Sequence, residues 1–224
     1  MSAFLKTLPR KSLIAEFSLW SANLLRLEDD LARITPYCDI LHVDVADGHF
    51  APAMLFFPDQ ISAVKKVSKL PIHVHLMVAD RILLEQIDQF AAAGADLITI
   101  HVENTNATEA LAHIKSKGLA TGLVLKWDTP VSAALPYRGD INFLTLLGTA
   151  IGVKGQSLSD QAPARLQEAR TLIGSRDVIL AADGGIRENT VPLLRAAGAQ
   201  TVVLGSLAFG AADLATRIQW LKAL

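Results

Sequence analysis

Ile40-Leu41-His42-Val43-Asp44-Val45-Ala46-Asp47-Gly48-His49-Phe50 is the stretch from which the fold class is read. Its first six residues are apolar except for His42 and Asp44. A short, nearly continuous apolar run bounded by a glycine loop is the pattern of a parallel strand buried on both faces. Side chains alternate along a strand. Leu41, Val43 and Val45 therefore face covering helices, while His42 and Asp44 share the inward face.

Similar runs recur along the chain at Leu13–Leu19, Ile72–Met77, Leu97–Val102, Thr121–Leu125, Phe143–Leu147, Val178–Ala182 and Thr201–Leu204. Helix-like stretches separate them: Leu24–Ile34, Gln60–Val67, Ile82–Ala93, Thr108–Lys117, Val131–Leu135, Pro163–Ile173, Thr190–Ala197 and Leu214–Leu224. Gly94 and Gly198 are placed to end helices in the left-handed conformation, and Asp160 and Asn189 to cap helix starts. Strands alternating with helices across 224 residues predict an α/β fold, a single (β/α)8 barrel over residues 1–224 with parallel inner strands. A doubly wound open sheet gives the same local pattern.

Composition narrows the function. The chain is 51% hydrophobic and 19% charged with a formal net charge of −1, which excludes disorder as the main state and offers no global attraction for nucleic acid. The single cysteine, Cys38, excludes an internal disulfide framework and a Cys-rich zinc site, and reads as a small buried hydrophobe. No run approaches the roughly 20 apolar residues of a membrane span. Met1–Lys11 mixes Lys6, Arg10 and Lys11 with Phe4, Leu5 and Leu8 and is not read as a signal peptide. A soluble cytoplasmic protein is expected, with neither nucleic acid nor membrane as partner.

In such folds functional groups collect at the carboxyl ends of the strands. His73 and His75 share a face in the strand after His42 and Asp44. Imidazoles beside a carboxylate suit zinc, iron or manganese, and satisfied core hydrogen bonds are the alternative. Asp183 ends a later strand and is followed by Gly184 and Gly185. Gly205-Ser206 and Gly152-Val153-Lys154-Gly155 supply two more glycine-bearing loops. Loops after the last strands of barrels often hold phosphate, although turns need glycine anyway. Ser18 ends the first strand and can reach a substrate or satisfy the barrel wall. His101 and Glu103 read either as outer partners of the histidines or, preferably, as a solvated rim. Trp20, Trp127 and Trp220 read as packing residues, with Trp127 placed where it could line the mouth.

These stretches together resemble the ribulose-phosphate 3-epimerase family from about Phe17 to Phe209. The resemblance is carried by Ser18-Leu19-Trp20-Ser21-Ala22-Asn23, His42 to Phe50, His75-Leu76-Met77 and Asp183-Gly184-Gly185-Ile186. It implies a (β/α)8 barrel that inverts C3 of a ketose phosphate. It implies a divalent metal (zinc, iron, manganese or cobalt) held by His42, Asp44, His75 and Asp183, with Asp44 and Asp183 also the acid/base pair. Ser18 would contact substrate, and Gly152, Val153, Lys154, Gly155, Gly184, Gly185, Gly205 and Ser206 would surround the phosphate. The family often forms homo-oligomers, but no interface is legible in this chain.

The chain departs from the usual pattern at Ala46, at Ala53, at Lys126-Trp127-Asp128 and across Thr149 to Gln156, where Lys154 replaces a glycine. These changes surround the ligand and leave the substrate open among ketose phosphates. Two other readings stand beside the epimerase. One is a non-catalytic sugar-phosphate-binding barrel, which would not need both Asp44 and Asp183. The other is a related phosphosugar or orotidine phosphate decarboxylase. Those enzymes share an Asp-x-Lys-x-x-Asp pattern, and Asp44-Val45-Ala46-Asp47-Gly48-His49 has no lysine.

Overall fold

The computed structural model describes residues 3–224; Met1 and Ser2, the start of the N-terminal segment considered above, lie outside them. Eight parallel strands form the barrel: β1 (Ile14–Ser18), β2 (Ile40–Asp47), β4 (Ile72–Met77), β5 (Leu97–His101), β6 (Ala120–Leu125), β7 (Phe143–Leu147), β8 (Ile179–Asp183) and β9 (Thr201–Leu204). Pairing of β1 with both β2 and β9 closes the sheet. The remaining strand, β3 (Met54–Leu55), folds back antiparallel on the end of β2 and is too short to carry a periodic signal.

The helices are α1 (Leu27–Ile34), α2 (Pro58–Val67), α3 (Asp80–Ala93), α4 (Ala107–Ser116), α5 (Ala162–Ile173), α6 (Val191–Ala196), α7 (Ser206–Phe209) and α8 (Leu214–Ala223). Most boundaries shift by a residue or two from the reading of the sequence, and three departures have a local cause. Leu24–Ile34 breaks into a 3-10 turn, Leu24–Arg26, and α1, because the Asn23 side chain accepts from the Leu25 amide and starts the tighter turn early. Val131–Leu135 lies in a 3-10 segment, Val131–Tyr137, that contains Pro136, a residue with no N–H for a regular helical ladder. Asp160 and Asn189 are not caps. The capping positions are Gln161 and Thr190, neither capping the helix amides through its side chain, and a proline in the first turn of each helix leaves one fewer amide to cap. Gly94 and Gly198 are left-handed as expected.

Two apolar layers result. Outside the barrel, Leu41, Val43 and Val45 of β2 and Val74 and Leu76 of β4 pack with Ile61, Leu83, Ile87 and Phe90 of the helices. Inside the barrel's lower end, Ile14, Ile40, Leu97, Phe143 and Ile179 meet, and buried Leu5 and Leu8 of the N-terminal segment plug them from below. Cys38 is buried. No described helix is long and apolar enough to cross a membrane.

Above that plug the interior turns polar, and space is tight. Gly122 of β6 lies between Thr99 and Phe143 in register. A Cβ there would come within 2.5 Å of Thr99 Cγ2 and 2.9 Å of Phe143 Cβ. Gly122→Val should therefore overpack the interior at a cost of about 1–3 kcal/mol. Urea denaturation should show a lower midpoint with an unchanged slope. A wild-type midpoint would mean that the strands separate freely at this level.

Candidate functional site

The barrel register decides which side chains meet. His42 lies beside His73 and Asp44 beside His75 on β2 and β4, Ser18 beside His42 on β1, and Asp183 at the far end of β8. One ligand atom from each of His42, Asp44, His75 and Asp183 lies within 4.8 Å of the others. These four stand at the floor of a cavity of about 560 Å³ at the carboxyl end of the barrel. Ser18, Asp44, His75 and Asp183 line it directly, whereas His42 is fully buried beneath.

Hydrogen-bond partners fix which atoms carry protons. Glu16, fully buried on β1, has Oε1 2.7 Å from His42 Nδ1, so that nitrogen donates and a neutral His42 keeps its lone pair on Nε2. His101 Nδ1 donates to Glu103 Oε2 at 2.9 Å, leaving His101 Nε2 to accept from His75 Nε2 at 2.9 Å. The lone pair of His75 is then on Nδ1, 3.3 Å from Asp44 Oδ1 and 3.9 Å from Asp183 Oδ2. His42 Nε2 is 3.1 Å from the same Asp44 oxygen. Ser18 donates to the other Asp44 oxygen at 2.8 Å. Two imidazole and two carboxylate lone pairs thus converge with no hydrogen among them. That donor set fits a divalent cation with nitrogen and oxygen ligands.

The titration behaviour follows from the same crowding. Burial disfavours charge on His42, but Asp44 and Glu16 outweigh it and raise its pKa well above the usual 6.5. Burial would likewise raise Asp44, and the two histidines hold it well below the usual carboxylate range. Asp183 is pushed up to about 6 by burial, with the Asp44 charge adding to it against the pull of His42 and His75. Burial pushes His101 down to about 4, and the hydrogen bonds of His101, Thr129 and the Lys126 amide hold Glu103 at about 2.

Around the rim, Gly152, Val153, Lys154 and Gly155 line one side of the cavity and Gly184, Gly185, Gly205 and Ser206 another. Gly184 and Gly185 have φ of 86° and 70°, and a Cβ on either would collide with Thr149 or with the Leu158 backbone at 2.6 Å. Glycine is required there for both conformation and space, which leaves the backbone open to a ligand. Lys154 is exposed at the rim of the cavity. Its Nζ donates to the Trp20 carbonyl and stands 4.7 Å from the centre of the Trp20 ring.

Three readings change. His101 and Glu103 are not a solvated rim: His101 is wholly buried and Glu103 half-buried, with the Phe50 ring tilted against the imidazole at 4.9 Å between centres. Trp20 lines the cavity in place of simple packing, while Trp127 is exposed and does not line it. Glu16 escaped notice altogether. Its signal was an acid inside an otherwise apolar run, two residues before Ser18 and hence on the same inward face.

The ribulose-phosphate 3 epimerase family model matches residues 14–209. The ribulose-phosphate 3-epimerase of Bacillus subtilis (strain 168) is 32% identical over 203 residues, covering 88% of this chain and 92% of the relative. That of Escherichia coli (strain K12) is 34% identical, covering 88% of each. Among solved structures, a 3-hexulose-6-phosphate synthase superposes with a TM-score of 0.66 at 22% identity, covering 94% of this chain and 96% of that one. The orotidine 5'-phosphate decarboxylase of Pyrococcus horikoshii OT3 gives 0.68 at 13% identity, covering 93% and 97%. At those identities the structural likeness speaks for the barrel alone, whereas the family match runs through every strand that contributes to the four-donor floor, and the chain belongs to the ribulose-phosphate 3-epimerase family.

Proposed function

We propose that this epimerase inverts C3 of a ketose phosphate, ribulose 5-phosphate and xylulose 5-phosphate or a related ketose phosphate, by proton transfer between Asp44 and Asp183. The observation that carries the reading is the meeting of a β2 carboxylate and a β8 carboxylate in one four-donor cluster at the cavity floor. Inverting a carbon beside a carbonyl requires removing its proton on one face and returning one on the other. Two carboxylates suit that task, one as base and one as acid. Ser18 holds Asp44 through one oxygen, which turns the other toward the cluster.

His42, Asp44, His75 and Asp183 would hold a divalent cation, which when bound supplies positive charge toward the oxygens of an enediolate. Ser18 contacts the sugar. The amides exposed at Gly184, Gly185, Gly205 and Ser206, with the Gly152–Gly155 loop, surround the phosphate. Anchoring that group converts its binding energy into orientation of C3. A turnover screen over ketotetrose, ketopentose and ketohexose phosphates, with stereochemical analysis of the products, tests the assignment; no turnover on any of them defeats it.

Asp44→Asn and Asp183→Asn should each lower turnover by at least about 10²–10⁴-fold, the worth of general acid/base catalysis. Exchange of the C3 hydrogen with solvent deuterium should collapse in at least one variant. Wild-type turnover in both would remove these residues from the mechanism.

Lys154 is close enough to the phosphate loop to leave Trp20 and pair with the anion. A charged hydrogen bond contributes about 1.5–3 kcal/mol. Calorimetric titration of Lys154→Ala at low salt should accordingly show about tenfold to a hundredfold weaker binding of a ketose phosphate, nearer tenfold because the side chain is exposed, with little change for the unphosphorylated ketose. Equal phosphate affinity in both proteins would leave Lys154 as a strut on Trp20.

A further inference from the structure

Glu16 is completely buried and takes no part in the proton transfer just described. Its carboxylate nonetheless has three side-chain partners in the barrel interior. Oε1 accepts from Nδ1 of His42 at 2.7 Å and from Nδ1 of His73, and Oε2 accepts from the Thr201 hydroxyl at 3.3 Å. His73 Nε2 in turn accepts from the Thr99 hydroxyl at 2.9 Å. Donors on β2, β4 and β9 thus hold Glu16 from three sides.

We infer that Glu16 is a positioning residue that acts through His42, fixing the ring orientation and tautomer that the four-donor cluster needs. The inference rests on the metal-dependent reading of that cluster. His42 Nδ1 has Glu16 as its partner, and while it donates there its other nitrogen must present a lone pair toward Asp44 and the cavity. Were the ring to flip about its last torsion, carbon would replace nitrogen at the cluster. A carboxylate behind a ligating histidine also strengthens that histidine as a donor.

The two histidines of the cluster are braced from opposite sides by different acids. Glu16 holds His42 directly, and Glu103 holds His75 through His101. The competing account is that Glu16 merely satisfies His73 in the core. It predicts a loss of stability with no change at the cluster.

Glu16→Gln separates the two accounts, since glutamine keeps the shape and an acceptor but loses the charge. With Zn²⁺ as probe, chelator competition should show about a 10–100-fold loss of affinity, and the visible spectrum of the Co²⁺-loaded variant should differ from that of wild type. Wild-type Zn²⁺ affinity and an unchanged Co²⁺ spectrum in the folded variant would overturn the inference. Nitrogen NMR of wild-type protein with labelled histidine and added Zn²⁺ decides the matter even if the variant does not fold. A proton on Nδ1 of His42 is expected, and a proton on Nε2 overturns the inference. A wild type that binds neither Zn²⁺ nor Co²⁺ defeats the metal reading and this inference together, whereas unchanged affinity in Glu16→Gln beside a wild type that binds defeats this inference alone.

Discussion

A lone pair buried away from water must face a hydrogen or a cation, and the interior of this barrel is arranged around that requirement. Its lower half contains nothing that needs an answer: isoleucine, leucine and phenylalanine fill it, and Leu5 and Leu8 close it from below. Water is thereby excluded from beneath the polar layer. Glu16, sitting directly above, must find every donor within the protein, and the imidazoles of His42 and His73 supply them. Burial alone would raise its pKa. The two imidazoles reverse the sign and hold it well below the usual carboxylate range. The proton that His42 gives to Glu16 leaves its other nitrogen's lone pair facing Asp44, as the His101–Glu103 pair does for His75.

That chain of consequences was partly legible in the residues. Alternation along β2 and β4 placed His42 with Asp44 and His73 with His75 on inward faces, because a strand's period of two leaves no other choice once one face is known to be apolar. Asp183 was legible as the polar end of an apolar run. Glu16 was not, because a single acid among apolar neighbours does not disturb the run that marks a buried strand. His101 was misjudged for a different reason. The end of a strand looks the same in sequence whether a loop covers it or not, and the cover comes from Phe50 on the loop after β2. The direction of Lys154 was equally hidden, since its partner Trp20 lies 134 residues away.

The barrel leaves the chemistry open, as the superposition on a hexulose phosphate synthase and on a decarboxylase makes plain. What separates this chain from a lysine-dependent decarboxylase can be followed at the end of β2. In the Asp-x-Lys-x-x-Asp pattern the lysine would fall at Ala46 and the second aspartate at His49. Ala46 is buried against Ala51 and Met77, an apolar pocket in which an ammonium would need a carboxylate beside it. Asp47 cannot serve. Its oxygens accept from the amides of His49, Phe50 and Ala79, which pin the loop and pull its pKa down against burial. His49 is exposed on that loop. The described residues around Ala46 thus supply no side-chain cation at the end of β2, and the four donors that could hold a metal ion face one another one layer deeper.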